Sequence, residues 1–95
     1  MKKLKVEKFE NVWDAIADSP EEAANLDARS ELMDQIEALI KKNRWTQAEA
    51  AQRLNVTQPR ISHLSRRQID RFSVDALLNM ATLAGLQIEI AVRAK

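Results

Sequence analysis

Cysteine and tyrosine are absent from this 95-residue chain, glycine and histidine occur once each, proline occurs twice, and aromatic residues make up only 4%. Without cysteine, neither disulfides nor thiolate metal sites can form. With His63 as the lone histidine, no constellation exists for nucleophilic catalysis or a Cys/His zinc site, so no enzymatic activity, metal or other cofactor is expected. One glycine and two prolines allow few turns and point to a mainly helical chain. No apolar run approaches the roughly 20 residues of a membrane span, and the opening MKKLKVEKFE lacks the apolar centre of a signal peptide. A cytoplasmic location with no membrane partner is therefore expected. A chain of this length suits one small domain, burying roughly 60 to 65% of its unfolded surface.

What is present is concentrated in TQAEAAQRLNVTQPRISHL, residues 46–64, which reads as two short helices joined by a tight turn. Thr46 can cap the first helix, and Glu49 three residues later can close a capping box. Trp45, just before the cap, is placed to staple against Ala50. Ala50, Ala51 and Leu54 give a small-residue inner face that lets a second helix cross closely. Asn55 stands at the turn, where a left-handed backbone is tolerated by Asn better than by other residues except Gly. Val56 can plug the corner. Thr57 or Gln58 can cap the second helix, and Pro59 fits only within its first turn. Ile61 and Leu64 share the inner face of that helix, while Gln58, Arg60, Ser62, His63 and Arg66 form the outer one. In a helix-turn-helix the second helix lies in the major groove, where Gln bonds adenine and Arg bonds guanine. An ordinary helical hairpin with a solvated polar face is the plainer alternative.

Residues 30–90 resemble the Xre, or Cro/repressor-type, helix-turn-helix domain. The strings WTQAEAAQRLNVTQPRISHL and RFSVDALLNMATLAGLQIEI, with the preceding NVWDAIADSPEEAANLDARSEL, resemble HigA-type antitoxins in particular. The resemblance implies a lambda repressor-like fold. It departs from the family pattern where glycine is usual, near Asn55 and Arg67, and where leucine is usual, near Ser65.

Net charge is only +1, but it is unevenly distributed. Residues 1–37 hold five basic and ten acidic groups, or −5, and the remainder ten basic and four acidic groups, or +6. Such asymmetry suggests two different partners. The basic groups are densest from Lys41 to Arg71, where they can neutralise phosphates.

Along the chain, the first residues alternate lysine with apolar residues and read as a short strand or an arm. Phe9, Val12, Trp13 and Ile16 fall at helical spacing. Ser19 can cap a helix beginning at Pro20, with Glu21 and Glu22 at its positive end. Another helix is expected from Ala28 to about Lys42 on a face of Leu32, Ile36, Leu39 and Ile40. The pattern does not say whether these two are continuous. Ser73 caps a last helix with a stripe of Val74, Leu77, Leu78 and Ala81, and Gly85 ends it. Residues 86–92 then alternate as a strand. Its partner is either Leu4–Val6 or the same strand of a second copy, and the two-fold dimers common among helix-turn-helix proteins favour the second.

The expected architecture is therefore mainly α: a five-helix helix-turn-helix domain over residues 29–95, an acidic N-terminal helical extension over 1–28, and a short C-terminal strand. Gln47 and Thr57 are expected to contact phosphate. Gln58, Arg60 and Ser62 are expected to read bases, with His63, Arg66 and Arg67 beside them on operator DNA. Leu86, Ile88, Ile90 and Val92 are expected to seal a homodimer. Phe9, Val12, Trp13 and Ile16, set among carboxylates, are expected to anchor a basic protein. The resemblance implies that this partner is a HigB/RelE-like ribonuclease toxin, and that the chain is its antitoxin and an autorepressor. A stand-alone or prophage regulator without a toxin is the alternative, and a protein-interaction module that never meets DNA is a third.

Overall fold

The computed structural model describes residues 2–6 and 19–94. In order these form β1 (Lys2–Val6), α1 (Pro20–Lys42), α2 (Gln47–Arg53), α3 (Gln58–Ser65), a 3-10 turn (Ile69–Arg71), α4 (Val74–Leu83) and β2 (Leu86–Ile90). Four α-helices are present among the described residues, not five. The segments expected to start at Pro20 and Ala28 are one 23-residue helix, about 34 Å long at 1.5 Å per residue. No glycine or proline interrupts Glu21–Arg29, and buried Ala23 and Leu26 continue the inner stripe that Met33 extends. The division expected between residues 28 and 29 falls inside this helix.

Each helix starts as its sequence dictates. The side chains of Ser19, Thr46, Thr57 and Ser73 accept the backbone N–H of Glu22, Glu49, Arg60 and Ala76 at 3.1, 3.1, 3.4 and 3.1 Å. Glu49 Oε1 in turn accepts the Thr46 N–H at 3.3 Å, which completes the capping box.

The first three helices also end alike. Arg44, Asn55 and Arg67 take left-handed backbone angles, with φ of 55°, 56° and 62°. The next residue in each case donates its N–H back across the last turn: Trp45 to Ile40, Val56 to Ala51 and Gln68 to His63, at 3.1, 2.9 and 3.0 Å. These are Schellman closures, which satisfy carbonyls that a helix end otherwise leaves bare. Gly85, with φ of 95°, follows α4.

The core draws on every helix: Leu32, Met33 and Ile36 of α1, Ala50 and Ala51 of α2 with Leu54 after it, Ile61 and Leu64 of α3, and Leu77, Met80 and Ala81 of α4. Phe72 and Leu86 complete it. Among the described residues no polar or charged side chain is buried in it. Burial at this depth contributes about 1.5–3 kcal/mol for each large apolar side chain, which outweighs the weak intrinsic helicity of seven- and eight-residue segments.

Of the two partners open to it, the C-terminal strand is paired within the chain with the N-terminal one. β1 lies parallel to β2, with Lys2 opposite Leu86 and Val6 opposite Ile90. Parallel neighbours require a long crossover, and the four helices provide it. Leu86 is buried and Ile88 packs against the core, so these two of the four residues assigned to dimerisation serve the fold. Ile90 and Val92 are exposed.

Candidate nucleic-acid interface

α2 and α3 pack against one another through Ala50, Ala51, Ile61 and Leu64, all buried. The absence of bulk at the two alanines allows the close crossing. Asn55 turns the chain between them, Val56 is half-buried against the core, and Thr57 rather than Gln58 is the cap. Because Ile61 and Leu64 are 1% and 0% exposed, the rotation of α3 about its axis is fixed. Gln58, Pro59, Ser65 and Arg66 consequently stand exposed, and Ser62 and His63 are half-buried. Gln47, at the first position of α2, and Thr57 are exposed as well. Thr57 Oγ1 accepts a backbone bond, and its hydroxyl hydrogen remains able to donate to an anion.

The charge on this face comes from arginine. The pKa of His63 is lowered from 6.5, first by partial desolvation and then by the positive charges of Arg71, Arg60 and Arg66. Its Nδ1 is buried without a hydrogen-bond partner. The imidazole is therefore neutral at pH 7, amid three guanidinium groups. Further along the basic stretch, Lys41, Lys42 and Arg44 are exposed at the end of α1. The Arg53 guanidinium lies 4.8 Å from the centroid of the Trp45 ring.

Two assigned arginines are placed otherwise than their positions in the sequence suggest. Arg60 was expected to extend toward a base. Instead its guanidinium lies over the Phe72 ring, 4.2 Å from the centroid, and its Nη1 donates to the Arg71 carbonyl at 2.7 Å. As third residue of α3 it leans back toward the helix start, and buried Phe72 offers an aromatic face there that sequence spacing does not reveal. Arg67 is turned toward α1, with Nη2 2.6 Å from Asp34 and Nη1 3.7 Å from Glu37. The left-handed backbone after α3 reverses the chain and aims this side chain away from the outer face of α3. Phe9, Val12, Trp13 and Ile16 lie outside the described residues.

Sequence reasoning passed over Phe72, Arg29 and Asp34. Phe72 precedes the Ser73 cap and Leu77 lies four positions into α4, the same spacing that marks Trp45 and Ala50 as a staple. That signal was legible. Arg29 lies in the acidic half of the chain, and its Nη1 donates to the carbonyls of Ile69 and Phe72 at 3.1 and 3.3 Å. No local pattern announces a contact across 40 residues.

Comparison with known proteins agrees with this geometry. Residues 15–93 match the family model described as "Helix-turn-helix domain". A solved structure named "Putative XRE Family Transcriptional Regulator" is similar with a TM-score of 0.70 and 31% sequence identity, over 75% of this chain and 80% of that one. No curated protein matches. The paired caps, the left-handed turn at Asn55 and the outward polar face of α3 thus occur in a chain that belongs to the XRE family of helix-turn-helix proteins.

Proposed function

We propose that this chain is a transcription regulator that binds operator DNA as a two-fold dimer through the outer face of α3, and that it is the antitoxin of a type II toxin-antitoxin pair. The observation that carries the DNA reading is the fixed rotation of α3: Ile61 and Leu64 are buried, while Gln58 and Arg66 are exposed and Ser62 lies between them. Gln58 and Ser62 meet base edges, Gln47 and Thr57 meet phosphates near helix starts, and His63 and Arg66 flank them. Exposed Lys41, Lys42, Arg44 and Arg53 add affinity that does not depend on sequence. The dimer is sealed in part by the exposed apolar residues Ile90 and Val92.

The antitoxin reading rests on the five-negative balance of residues 1–37, on the aromatic anchors Phe9 and Trp13 within it, and on the resemblance to HigA-type antitoxins. An acidic surface suits a small basic ribonuclease of the HigB/RelE type. Self-repression follows if the operator lies upstream of the chain's own gene.

A mobility-shift titration on that upstream DNA, repeated across salt concentrations, tests the first part. Log affinity is expected to fall with log salt by about 0.9 for each phosphate neutralised; no shift at low salt refutes it. Co-expression with the neighbouring reading frame tests the second. A small basic protein that arrests growth alone and is silenced by this chain supports the antitoxin role, and a neighbour with no such effect favours a stand-alone regulator.

A further inference from the structure

The four residues Ile69–Phe72, separated from the end of α3 by three residues, are held from two sides. Arg29, from the middle of α1, donates one Nη1 to the carbonyls of Ile69 and Phe72 at 3.1 and 3.3 Å. Arg60, from the first turn of α3, donates to the carbonyl between them, that of Arg71, at 2.7 Å. The same guanidinium stacks on Phe72, which is 2% exposed and part of the hydrophobic core. A guanidinium so held contributes through a charge-assisted hydrogen bond and a cation–π contact at once.

On the basis of the DNA-binding reading, we infer that Arg60 is a positioning residue for α3 and not one of its base readers. Its side chain ties the first turn of the helix to the segment beyond its last turn, so both ends of α3 are referred to one rigid element. Arg29 refers that element to α1. Base discrimination then falls to Gln58 and Ser62, which have no such inward partner among the bonds the structure records. Releasing the clamp lets α3 occupy orientations that do not fit the groove. The apparent affinity then falls by the fraction of molecules still correctly placed, about three- to tenfold, whatever the base pair.

The phenotype separates this role from direct readout. Phe72 is buried and cannot touch a duplex, so Phe72→Leu changes DNA affinity only through α3. Arg60→Ala, Phe72→Leu and the double variant are titrated against the upstream operator and a panel of single base-pair variants. Folded fraction is checked by circular dichroism. Each single variant is expected to weaken every duplex by a similar three- to tenfold factor, the double variant by no more than the weaker-binding single, with the order of preference among base pairs unchanged. Loss of discrimination at one or two base pairs in Arg60→Ala alone, with additive losses in the double variant, overturns the assignment and restores Arg60 as a reader. Without DNA, exchange of the Phe72 amide, which donates to the Ile69 carbonyl at 3.1 Å, is expected to accelerate in Arg60→Ala, and unchanged exchange overturns the clamp itself. If the wild-type chain binds no duplex, the DNA reading fails and the positioning role with it, whereas the exchange result still decides whether the clamp exists.

Discussion

Substituting the left-handed residues that close α1 and α3 isolates a backbone term that no contact inventory contains. Arg44 and Arg67 have φ of 55° and 62°, and both carry a Cβ that crowds the following carbonyl in this region. The strain costs about 1–2 kcal/mol, and glycine, which lacks it, forfeits about 0.4–1 kcal/mol through the greater freedom of its unfolded chain. The glycine variant should therefore be more stable than the alanine variant at the same position by about 0.5–1 kcal/mol. Comparing glycine with alanine removes the lost side chain from the account, because both delete it. This matters at Arg67, whose pair with Asp34 joins side chains that are 39% and 57% exposed and contributes roughly 0–1 kcal/mol after solvent screening. At Lys42, still within the last turn of α1, the order must invert, with glycine worse than alanine by about 0.8–1 kcal/mol. Urea denaturation followed by far-ultraviolet circular dichroism, with a common m-value, measures all six variants. Thermal midpoints should separate by about 4–8 °C per kcal/mol for a domain of this size. Alanine equal to or better than glycine at both Arg44 and Arg67 would refute the Schellman closures.

Two further outcomes follow from the core and the interface. Leu64, 0% exposed within the common core, should cost about 2–5 kcal/mol when truncated to alanine, measured as a fall in the urea midpoint at constant m-value; a cost below 1 kcal/mol would mean that α3 is not seated by this residue. His63 has a folded-state pKa below its unfolded value of 6.5, so the unfolded chain takes up its proton first as pH falls. Stability from this group is complete above pH 6.5 and is lost as pH drops from there through the lowered folded value. His63→Gln should remove that part of the pH dependence and leave the carboxylate part at lower pH, and an identical pH profile in both proteins contradicts the assignment.

Local chemistry was legible and distant chemistry was not. Ser19, Thr46 and Ser73 are caps in sequence and in structure because a cap needs only a side-chain oxygen and an N–H three residues on, and of the two candidates Thr57 and Gln58 the structure uses Thr57. Asn55 was readable as the turn for a similar reason. Arg44 and Arg67 were not, since arginine carries no preference for positive φ and is held there by the Schellman bonds around it. The continuity of α1 escaped because Ser19 and Pro20 announce a start, while nothing between them and Lys42 announces either a stop or a join. Alternation in residues 86–92 identified a strand, but periodicity says nothing of a partner eighty residues away; parallel pairing with Lys2–Val6 depends on the whole helical body lying between. At the interface, Gln58 and Arg66 stand where the helical period puts them. Arg60 and Arg67 lie elsewhere because Phe72, Asp34 and Glu37, which attract them, come from other elements.

The measurement that bears most directly on the central claim is the affinity of wild-type and Gln58→Ala protein for the chain's own upstream operator and for a shuffled duplex of equal length, at one fixed salt concentration. If the outer face of α3 reads sequence, the wild-type protein prefers the operator by about a thousandfold or more. Gln58→Ala then loses about 1–3 kcal/mol on the operator and little on the shuffled duplex. Equal wild-type affinity for both duplexes, or equal losses on both for Gln58→Ala, contradicts it.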